Sequence, residues 1–291
     1  MSALRYLPER IFKFIESGVV AEFSTVSAAG VPIDTPTYYF PSDDLATIDL
    51  ATGLPNPAKA ERARRNPRVG LLIEGAADEP VVVMRASAAV RDADLQANCV
   101  RYIAETGFKG ISHGITWEQA RQAVTYWSRI IIENTPTRIY WWDDQASLDA
   151  PPQVWNAPPG AVFPSSDPKP AGEMMPSAWP VRSWQEVARD ALRKGASAHL
   201  SVLDEGYPMP MRCRSRELTG EGFRLVIPRG VPWRITGKAS LTFAGFQTFV
   251  GDVASTADMS LFKPERALPE HPSTRDTKQV LQPSEDTRNK A

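Results

Sequence analysis

The chain carries one pattern of helix, strand and turn twice. In the first copy, "IESGVVAEFSTVSAAGVP", a helix ends at Gly18 and a strand leads to Gly30-Val31-Pro32. In the second copy, "LRKGASAHLSVLDEGYP", a helix ends at Gly195 and a strand leads to Gly206-Tyr207-Pro208. The two helix-ending glycines stand 177 positions apart, and the same offset relates Ala21 to Ala198 and Ser24 to Ser201. A repeat of this length predicts a duplicated domain rather than a solenoid of short units.

A second match shows where the two copies differ. "VGLLIEG" at 69–75 aligns with "ASLTFAG" at 239–245 at an offset of 170, so seven residues are lost between the two matches. The first copy carries "NPAKAERARRNPR" in this interval, whereas the second carries only "VPWRITGK". We therefore expect two halves that share one fold, of which only the first keeps a basic helix. A chance similarity of short glycine-containing strands is the alternative.

Short β-rich runs joined by tight turns dominate the first half. "VVAEFSTV" and "VPIDTPTYYF" flank the turn "SAAG", "DLATIDLAT" follows, and "VGLLIEG" and "VVVMRASAAV" flank "AADE". Helical patterns cover 8–17, 59–66, 92–107 and 116–132, and "TPTRIYWWDD" closes the half as a strand. Antiparallel strands with short turns and peripheral helices predict a mainly β fold, a barrel rather than a doubly wound sheet.

Four segments follow from these patterns. Residues 1–147 are expected to form the first barrel. Nine of the thirty residues 151–180 are proline, which predicts a linker or an extended arm over 148–179. The worn second copy of the fold spans 180–262, and the polar end of the chain at 263–291 is expected to be a disordered tail.

Composition narrows the partners. A net charge of −1 over 291 residues gives no overall attraction to nucleic acid or to anionic membranes. No apolar run reaches the roughly 18 residues that span a bilayer, and the N-terminus lacks the apolar core of a signal peptide. We therefore expect a cytoplasmic protein that binds neither nucleic acid nor a membrane. Cys99 and Cys213 are far apart and no CxxC occurs, so no disulfide framework and no metal site is expected.

The strongest charge signal is "KAERARRNPRVGLLIEG", residues 59–75. Five of its first ten residues are basic and only Glu61 opposes them, after which an apolar run begins. Pro67 ends the helix, because the residue before a proline avoids the helical region. A nucleic-acid patch, a site for one small phosphate and a solvated helix face are the three explanations. The first is disfavoured because the patch is short and the chain is not basic overall.

The order of these motifs resembles the flavin-binding split-barrel family, whose type member is pyridoxamine 5′-phosphate oxidase. The motifs that carry the resemblance are "AAGVP", "DLAT", Lys59 followed by Asn66-Pro67 and a strand, and "VVVMRASAAV". They cover roughly residues 8–145, with a weaker echo at 180–260. The resemblance implies a six-stranded split β-barrel of the FMN-binding type, duplicated in this chain, with FMN at the interface between paired barrels.

The resemblance also implies where FMN binds. The strand after the hairpin supplies backbone contacts, which here come from Thr35, Pro36, Thr37 and Tyr38. The strand end before the basic helix adds Thr52. Lys59 pairs with the FMN phosphate, since its charge and the free N–H groups of a helix start both favour an anion.

Neighbouring basic residues divide into two groups. Arg62 and Arg65 follow Lys59 by three and six residues, on one side of a short helix, and are candidates to join it at the phosphate. A solvated position on the helix surface is the alternative for each. Arg64 and Arg68 are expected in solvent.

The chain departs from the type enzyme at several polar positions. Ala58 stands where the type enzyme has an arginine before the lysine. Thr35, Phe40 and Val82 stand at or near positions where it has an arginine, a lysine and a glutamine. These differences argue strongly against pyridoxamine phosphate as the substrate and less strongly against flavin. Relatives of this fold bind deazaflavin or haem instead, and both stay open as cofactors.

Histidine and aromatic residues offer the other candidates. His113 lies in the loop "FKGISHGITW" and is a candidate general acid on a lid, with a plain surface loop as the alternative. Tyr38 and Tyr39 face opposite sides of a strand, so one is core and the other is a candidate wall for a ring-shaped ligand. Trp141 and Trp142 alternate in the same way, and one is a candidate to line an aromatic pocket.

The two remaining histidines have other assignments. His199 aligns with Glu22 on a strand and is expected to be structural. His271 lies in the tail and is a minor candidate for an iron ligand, because some haem-degrading split barrels hold iron through a C-terminal histidine.

Together these features predict an FMN-dependent oxidoreductase that acts on a small, aromatic organic substrate, with NADH or NADPH as a candidate reductant. A homodimer is expected to pair the barrels, with the chain's own second half as the other candidate partner. A non-catalytic flavin- or haem-binding protein and a haem-degrading enzyme on the same fold are the alternatives.

Overall fold

The computed structural model describes residues 3–18, 20–53, 57–106, 129–169, 183–194, 197–243, 247–256 and 259–268. Within these ranges, fourteen strands form two seven-stranded antiparallel sheets, one in each half of the chain. None of the described helices is long and apolar enough to cross a membrane. The mainly β fold with peripheral helices is confirmed.

The first sheet closes into a barrel. Its elements are α1 (Glu9–Ser17), β1 (Val20–Val26), β2 (Pro32–Pro41), β3 (Ile48–Gly53), α2 (Ala58–Arg65), β4 (Arg68–Glu74), β5 (Val81–Arg91), α3 (Leu95–Thr106), β6 (Arg129–Trp142) and β7 (Gln153–Asn156). The strands lie in the order β3-β2-β1-β4-β5-β6-β7. Because β3 also pairs with β6 along its whole length, six strands close into the ring that the sequence predicts.

Local sequence explains where these elements begin and end. Gly30 has a φ of +72°, a conformation that glycine adopts without strain, and it turns β1 into β2. Pro8 immediately precedes α1, whose apolar stripe is buried through Ile11 and Ile15. Helix α2 ends one residue before Asn66, and Pro67 blocks its continuation.

Strand β1 is buried along almost its whole length, although alternate side chains of a strand face opposite sides of the sheet. Ala21 and Phe23 pack into the core of the barrel. Glu22 and Ser24 point the other way and meet residues of the second half. The outer face of the barrel is therefore an internal interface of the chain.

The second half forms an open half-barrel. Its elements are α4 (Trp184–Lys194), β8 (Ala198–Asp204), β9 (Tyr207–Arg212), β10 (Ser215–Leu218), β11 (Phe223–Val226), β12 (Thr236–Phe243), β13 (Gln247–Ser255) and β14 (Ser260–Ala267). The strand order is β10-β11-β14-β13-β12-β8-β9. Residues 227–235, which lead into β12, contain no helix, so this half lacks the basic helix as the repeat predicts.

The strand order repeats between the halves. The series β2-β1-β4-β5-β6 corresponds to β9-β8-β12-β13-β14. Two pairs of residues at the repeat offset of 177 touch: Ser24 Oγ lies 2.7 Å from Ser201 Oγ, and Glu22 Oε1 lies 3.3 Å from His199 Nδ1. In a two-fold pair, equivalent residues meet each other at the axis. The chain is therefore a pseudo-two-fold pair of related halves.

An apolar core joins the two halves. Leu72 and Trp142 of the first half belong to the same buried cluster as Leu200 of the second. At one side of this core, Arg85 of β5 is buried against Asp204 at the end of β8. The second half thus occupies a face where a partner barrel was expected. A homodimer of whole chains stays a prediction.

The boundaries of three elements differ from the sequence patterns. Arg129–Ile132, predicted as the end of a helical run, begin β6 instead, because they pair with both β3 and β5; the rest of that run, 116–128, lies outside the described residues. Within the proline-rich segment, β7 pairs with β6. Strand β14 continues to Ala267. The division of the chain into four segments stays a prediction.

Gly70→Ala is expected to weaken the contact between the halves. A Cβ at Gly70 would lie 1.8 Å from the backbone oxygen of Pro208 on β9, so one of the two strands must move. We expect the free energy of unfolding to fall by about 1–3 kcal/mol, the usual cost of overpacking, as measured by urea denaturation. Gly220→Ala is the control, because a Cβ there meets nothing within 4 Å. A G70A variant as stable as G220A would contradict this account of the interface.

Candidate functional site

Helix α2 presents a basic face to the barrel. Its small residues Ala60 and Ala63 are fully buried, which lets the helix lie close against β1, β5 and β6. Lys59 Nζ donates to Thr37 Oγ1 at 2.8 Å, and Arg62 Nε donates to Thr25 Oγ1 at 2.7 Å. The helix therefore holds its first two basic side chains against hydroxyl groups of β1 and β2.

The third basic side chain of this face is Arg65. Its Nη2 donates to the backbone oxygen of Val26 at 3.3 Å, so it lies at the end of β1. None of Lys59, Arg62 and Arg65 forms an ion pair with a carboxylate among the residues that the structure describes. We call these three residues the cationic cluster.

Burial perturbs the charges of this cluster. It lowers the pKa of Lys59 to about 8, with Arg62 and Arg129 adding to the effect by repulsion. The pKa of Arg62 falls to about 10, again through burial first and then through Arg65. Partly buried cations that repel one another are stabilised by an anion. The cluster is a candidate anion site.

The two other basic residues of the segment have different partners. Arg64 forms an ion pair with Asp92 and donates to the backbone oxygen of Asp167. The guanidinium of Arg68 lies 5.8 Å from the ring centre of Tyr207, across the interface between the halves. The expectation that Arg64 is solvated is therefore wrong, because a carboxylate distant in sequence buries it. Arg68 is exposed as expected.

Strand β2 holds four of the predicted ligand residues. Thr37 is buried and directly contacts Lys59, while Tyr38 is 43% exposed. Thr35 and Thr37 share one face of the strand, and Pro36 and Tyr38 share the other. Strand β12 of the second half lies beside β2. Of these four residues, Thr37 contacts the cationic cluster directly. Thr35, Pro36 and Tyr38 are its neighbours along the strand.

Tyr39 is the core member of the tyrosine pair. It is buried, and its hydroxyl donates to the backbone oxygen of Ile15 at 2.7 Å. Thr52 is buried on β3, opposite Ile130 of β6. Trp141 belongs to the barrel core and Trp142 to the core between the halves. Neither tryptophan takes part in the described hydrogen bonds of the cationic cluster.

The loop candidates cannot be placed. His113 and His271 lie outside the described residues. A cleft of about 710 Å³ elsewhere in the first half is lined by Arg101, Glu133 and the 157–164 segment. It contains none of the predicted ligand residues, and Arg101 is already paired with Asp49 and Glu133.

Sequence reasoning missed one cation near the site. Arg129 is buried at the start of β6, where its guanidinium lies 4.6 Å from the ring centre of Tyr102. It is close enough to lower the pKa of Lys59. Its place in an apparently helical run concealed it, because the strand pairing that brings it to Gly53 is long-range.

Comparison with known proteins gives matches among solved structures only. No protein-family model matches the chain, and no curated protein matches it. General stress protein 26 from Bacillus anthracis is 17% identical over 51% of this chain and 97% of its own, with a TM-score of 0.36. A putative pyridoxamine 5′-phosphate oxidase from Listeria innocua is 20% identical over 47% of this chain and 98% of its own, with a TM-score of 0.34. The haem storage protein HutZ from Vibrio cholerae is 14% identical over 43% of this chain and 87% of its own, with a TM-score of 0.31.

In architecture the chain is similar to the pyridoxamine 5′-phosphate oxidase-like split barrels. The closed six-strand ring of its first half is the fold that the sequence motifs imply. Each of the three similar proteins corresponds to about half of this chain. The ligand of this split barrel has to be inferred from its own residues.

Proposed function

We propose that the split barrel of the first half binds FMN and that the protein is an FMN-dependent oxidoreductase acting on a small, aromatic organic substrate. The observation that carries this proposal is the cationic cluster of Lys59, Arg62 and Arg65, which has no carboxylate partner among the described residues. Lys59 and Arg62 are partly buried and Arg65 is exposed, and buried charges of one sign need a counter-charge. The phosphate of FMN supplies it.

The hydrogen bonds of the cluster favour phosphate in particular. Lys59 and Arg62 now donate to the neutral hydroxyls of Thr37 and Thr25. A phosphate oxygen is a stronger acceptor, because hydrogen bonds between charged partners are roughly twice as strong as neutral ones. Three cations from one helix surround a small anion better than they fit an extended backbone such as nucleic acid.

The remaining ligand residues would orient the ring system. Thr35, Pro36, Thr37 and Tyr38 offer strand backbone and one partly exposed aromatic ring beside Lys59, and Thr52 is the penultimate residue of β3, the strand before α2. When bound, FMN supplies the redox chemistry. The residues of this chain would hold the phosphate, fix the ring and exclude water from it. His113 stays a proposed general acid.

Partner assignments belong to the same proposal. NADH or NADPH is the proposed reductant, and the protein is proposed to be cytoplasmic, homodimeric and without nucleic-acid or membrane partners. Four of the five basic residues of the α2 segment donate to protein groups, which supports a role inside the molecule rather than an open basic surface.

The visible spectrum of the purified protein tests the cofactor. We expect flavin absorption and release of a species with the mass of FMN, including after reconstitution if the protein is purified empty. A Soret band would assign haem, and the mass of a deazaflavin would assign that cofactor. Bleaching of bound flavin by NADH or NADPH, followed by oxidation of a substrate, would support an enzyme. Flavin that no reductant or substrate changes would favour a non-catalytic carrier.

Lys59→Ala is expected to weaken FMN binding. Loss of a charged hydrogen bond to phosphate costs about 1–3 kcal/mol, which corresponds to a dissociation constant roughly 5- to 150-fold higher. Quenching of flavin fluorescence measures it. Lys13→Ala is the matched control, because Lys13 is an exposed lysine that pairs with Glu9 on α1. Equal affinities of the two variants would remove Lys59 from the site.

The affinity for FMN should fall as the pH rises through about 8. The pKa of Lys59 is lowered to about 8, so above that pH the free protein must take up a proton to form the charged contact. The phosphate itself stays dianionic there, since its second pKa is about 6. Titrations between pH 7 and 10 would show the decline in wild-type protein and its loss in Lys59→Arg, which stays charged. A flat wild-type profile would contradict a titrating lysine at the phosphate.

A further inference from the structure

A group of acidic residues and one histidine lies between the two halves, away from helix α2. Glu22 of β1 and Asp34 of β2 come from the first half, and His199 of β8 comes from the second. Their exposed fractions are 6%, 1% and 2%. We call these three residues the interface triad. Such polar side chains are rarely buried without a specific partner.

The spacing of the interface triad is close to that of the ligands around a small metal ion. One ligand atom from each residue lies within 4.8 Å of the other two, and His199 Nδ1 is 3.3 Å from Glu22 Oε1. Nitrogen and oxygen ligands lie about 2.0–2.2 Å from Zn²⁺ in a tetrahedral site, which sets ligand pairs roughly 3.3–3.5 Å apart. The pair of His199 and Glu22 already has that spacing, and the remaining distances, up to 4.8 Å, would shorten as an ion binds.

Each residue of the triad has one buried polar atom without a hydrogen bond in the described part of the chain: His199 Nδ1, Glu22 Oε2 and Asp34 Oδ2. His199 Nδ1 lies 3.3 Å from Glu22 Oε1, without the geometry of a hydrogen bond. A buried polar atom without a partner is destabilising, and one ion held by all three residues would satisfy these atoms.

The opposite atoms of the same side chains are held. His199 Nε2 lies 2.8 Å from Glu74 Oε1, which also accepts from Arg212 Nη1 at 2.9 Å. Proteins use this arrangement to fix a metal-binding histidine, whose second nitrogen donates to a carboxylate. The histidine is therefore oriented with Nδ1 toward the triad.

Asp34 is oriented in a comparable way. Its Oδ1 accepts from Ser24 Oγ at 3.0 Å, and Ser24 in turn lies 2.7 Å from Ser201. Only Oδ2 is left to face Glu22 and His199. Both ends of the triad thus have an outer shell that fixes the direction of the inner atoms.

The charges of the surrounding side chains are balanced by a divalent cation. Three carboxylates, Glu22, Asp34 and Glu74, face one permanent cation, Arg212. With His199 neutral, an ion of charge 2+ brings the group to zero. Without an ion, protons shared among the same side chains must balance these charges.

We propose that Glu22, Asp34 and His199 bind one divalent first-row metal ion, with Zn²⁺ fitting their spacing best. Glu74 and Ser24 are positioning residues for this site. Because two ligands come from the first half and one from the second, the ion fastens the halves to each other. The site is independent of the proposed FMN site on α2. The expectation that the chain has no metal site was based on its cysteines, whereas the ligands of this site are nitrogen and oxygen atoms.

Metal stoichiometry of the full chain tests the proposal. The protein is stripped with a chelator, mixed with ZnCl₂ or MnCl₂, passed over a desalting column and analysed for metal by mass spectrometry. We expect one Zn²⁺ retained per chain and a higher thermal midpoint than for the stripped protein, since a ligand that binds only the folded state stabilises it. Stripped wild-type protein that retains neither ion and shows no shift in midpoint would overturn the site in favour of a proton-sharing cluster.

Variants locate the ion. His199→Gln should lose the retained metal, and Glu74→Gln should weaken its affinity about 10- to 100-fold, the usual effect of removing an outer partner. Glu221→Gln is the control and should bind like wild type, because Glu221 is an exposed carboxylate that pairs with Lys263. Retention of the metal by H199Q, or its loss in E221Q, would place the ion elsewhere and refute the proposal. If H199Q fails to fold, the visible absorption of Co²⁺-loaded wild-type protein decides, because nitrogen and oxygen ligands in a four-coordinate site give a characteristic spectrum and surface-bound Co²⁺ does not.

Discussion

The contact between the outer face of the barrel and the second half governs the rest of this structure. Strands β1 and β4 are buried on both sides, and β2 over part of its length, because β8, β9 and β12 cover the face that a lone barrel would expose. Burial of apolar surface is the main stabilising term for such a pairing, and Leu72, Trp142 and Leu200 contribute to it. The close approach at Gly70 leaves no room for a side chain.

This contact also explains why polar groups are distributed so unevenly. Residues of β1 alternate between an apolar core and the interface, and at the interface they meet charged partners such as His199. On helix α2, by contrast, the three residues of the cationic cluster form no ion pair with a described carboxylate, although Glu61 lies on the same helix. The two halves share a strand order, yet the second lacks that helix. The asymmetry limits the cationic cluster to one per chain.

Features that depend on residues close in the sequence could be predicted from it. The turn at Gly30, the helix stop at Pro67 and the repeat offset all depend on residues close in sequence or on direct comparison of segments. Contacts between residues that are distant in the sequence could not be predicted. Arg129 has a helical pattern in the sequence, and only its pairing with Gly53 of β3 makes it a strand residue. The carboxylate partner of Arg64 cannot be identified from its own segment.

The candidate site shows the same division. Lys59 and Thr37 were named from motifs, and their hydrogen bond agrees with that choice, although their role with a ligand stays a proposal. His199 was expected to be structural because its alignment with Glu22 gave no sign that the two residues touch. Glu22 and His199 come into contact only when the two halves pack against each other. The sequence of either segment alone does not predict that contact.

The meeting of Glu22 with His199 has a consequence for how such a chain can evolve. In an assembly of two identical subunits, a residue on the symmetry axis faces its own copy, so a glutamate there would oppose a glutamate. Joining both units in one polypeptide removes that restriction, because each copy mutates separately. An acid could then face a base at the centre of the molecule. Fusion therefore permits an acidic and a basic residue to pair at the axis, which two identical subunits cannot do.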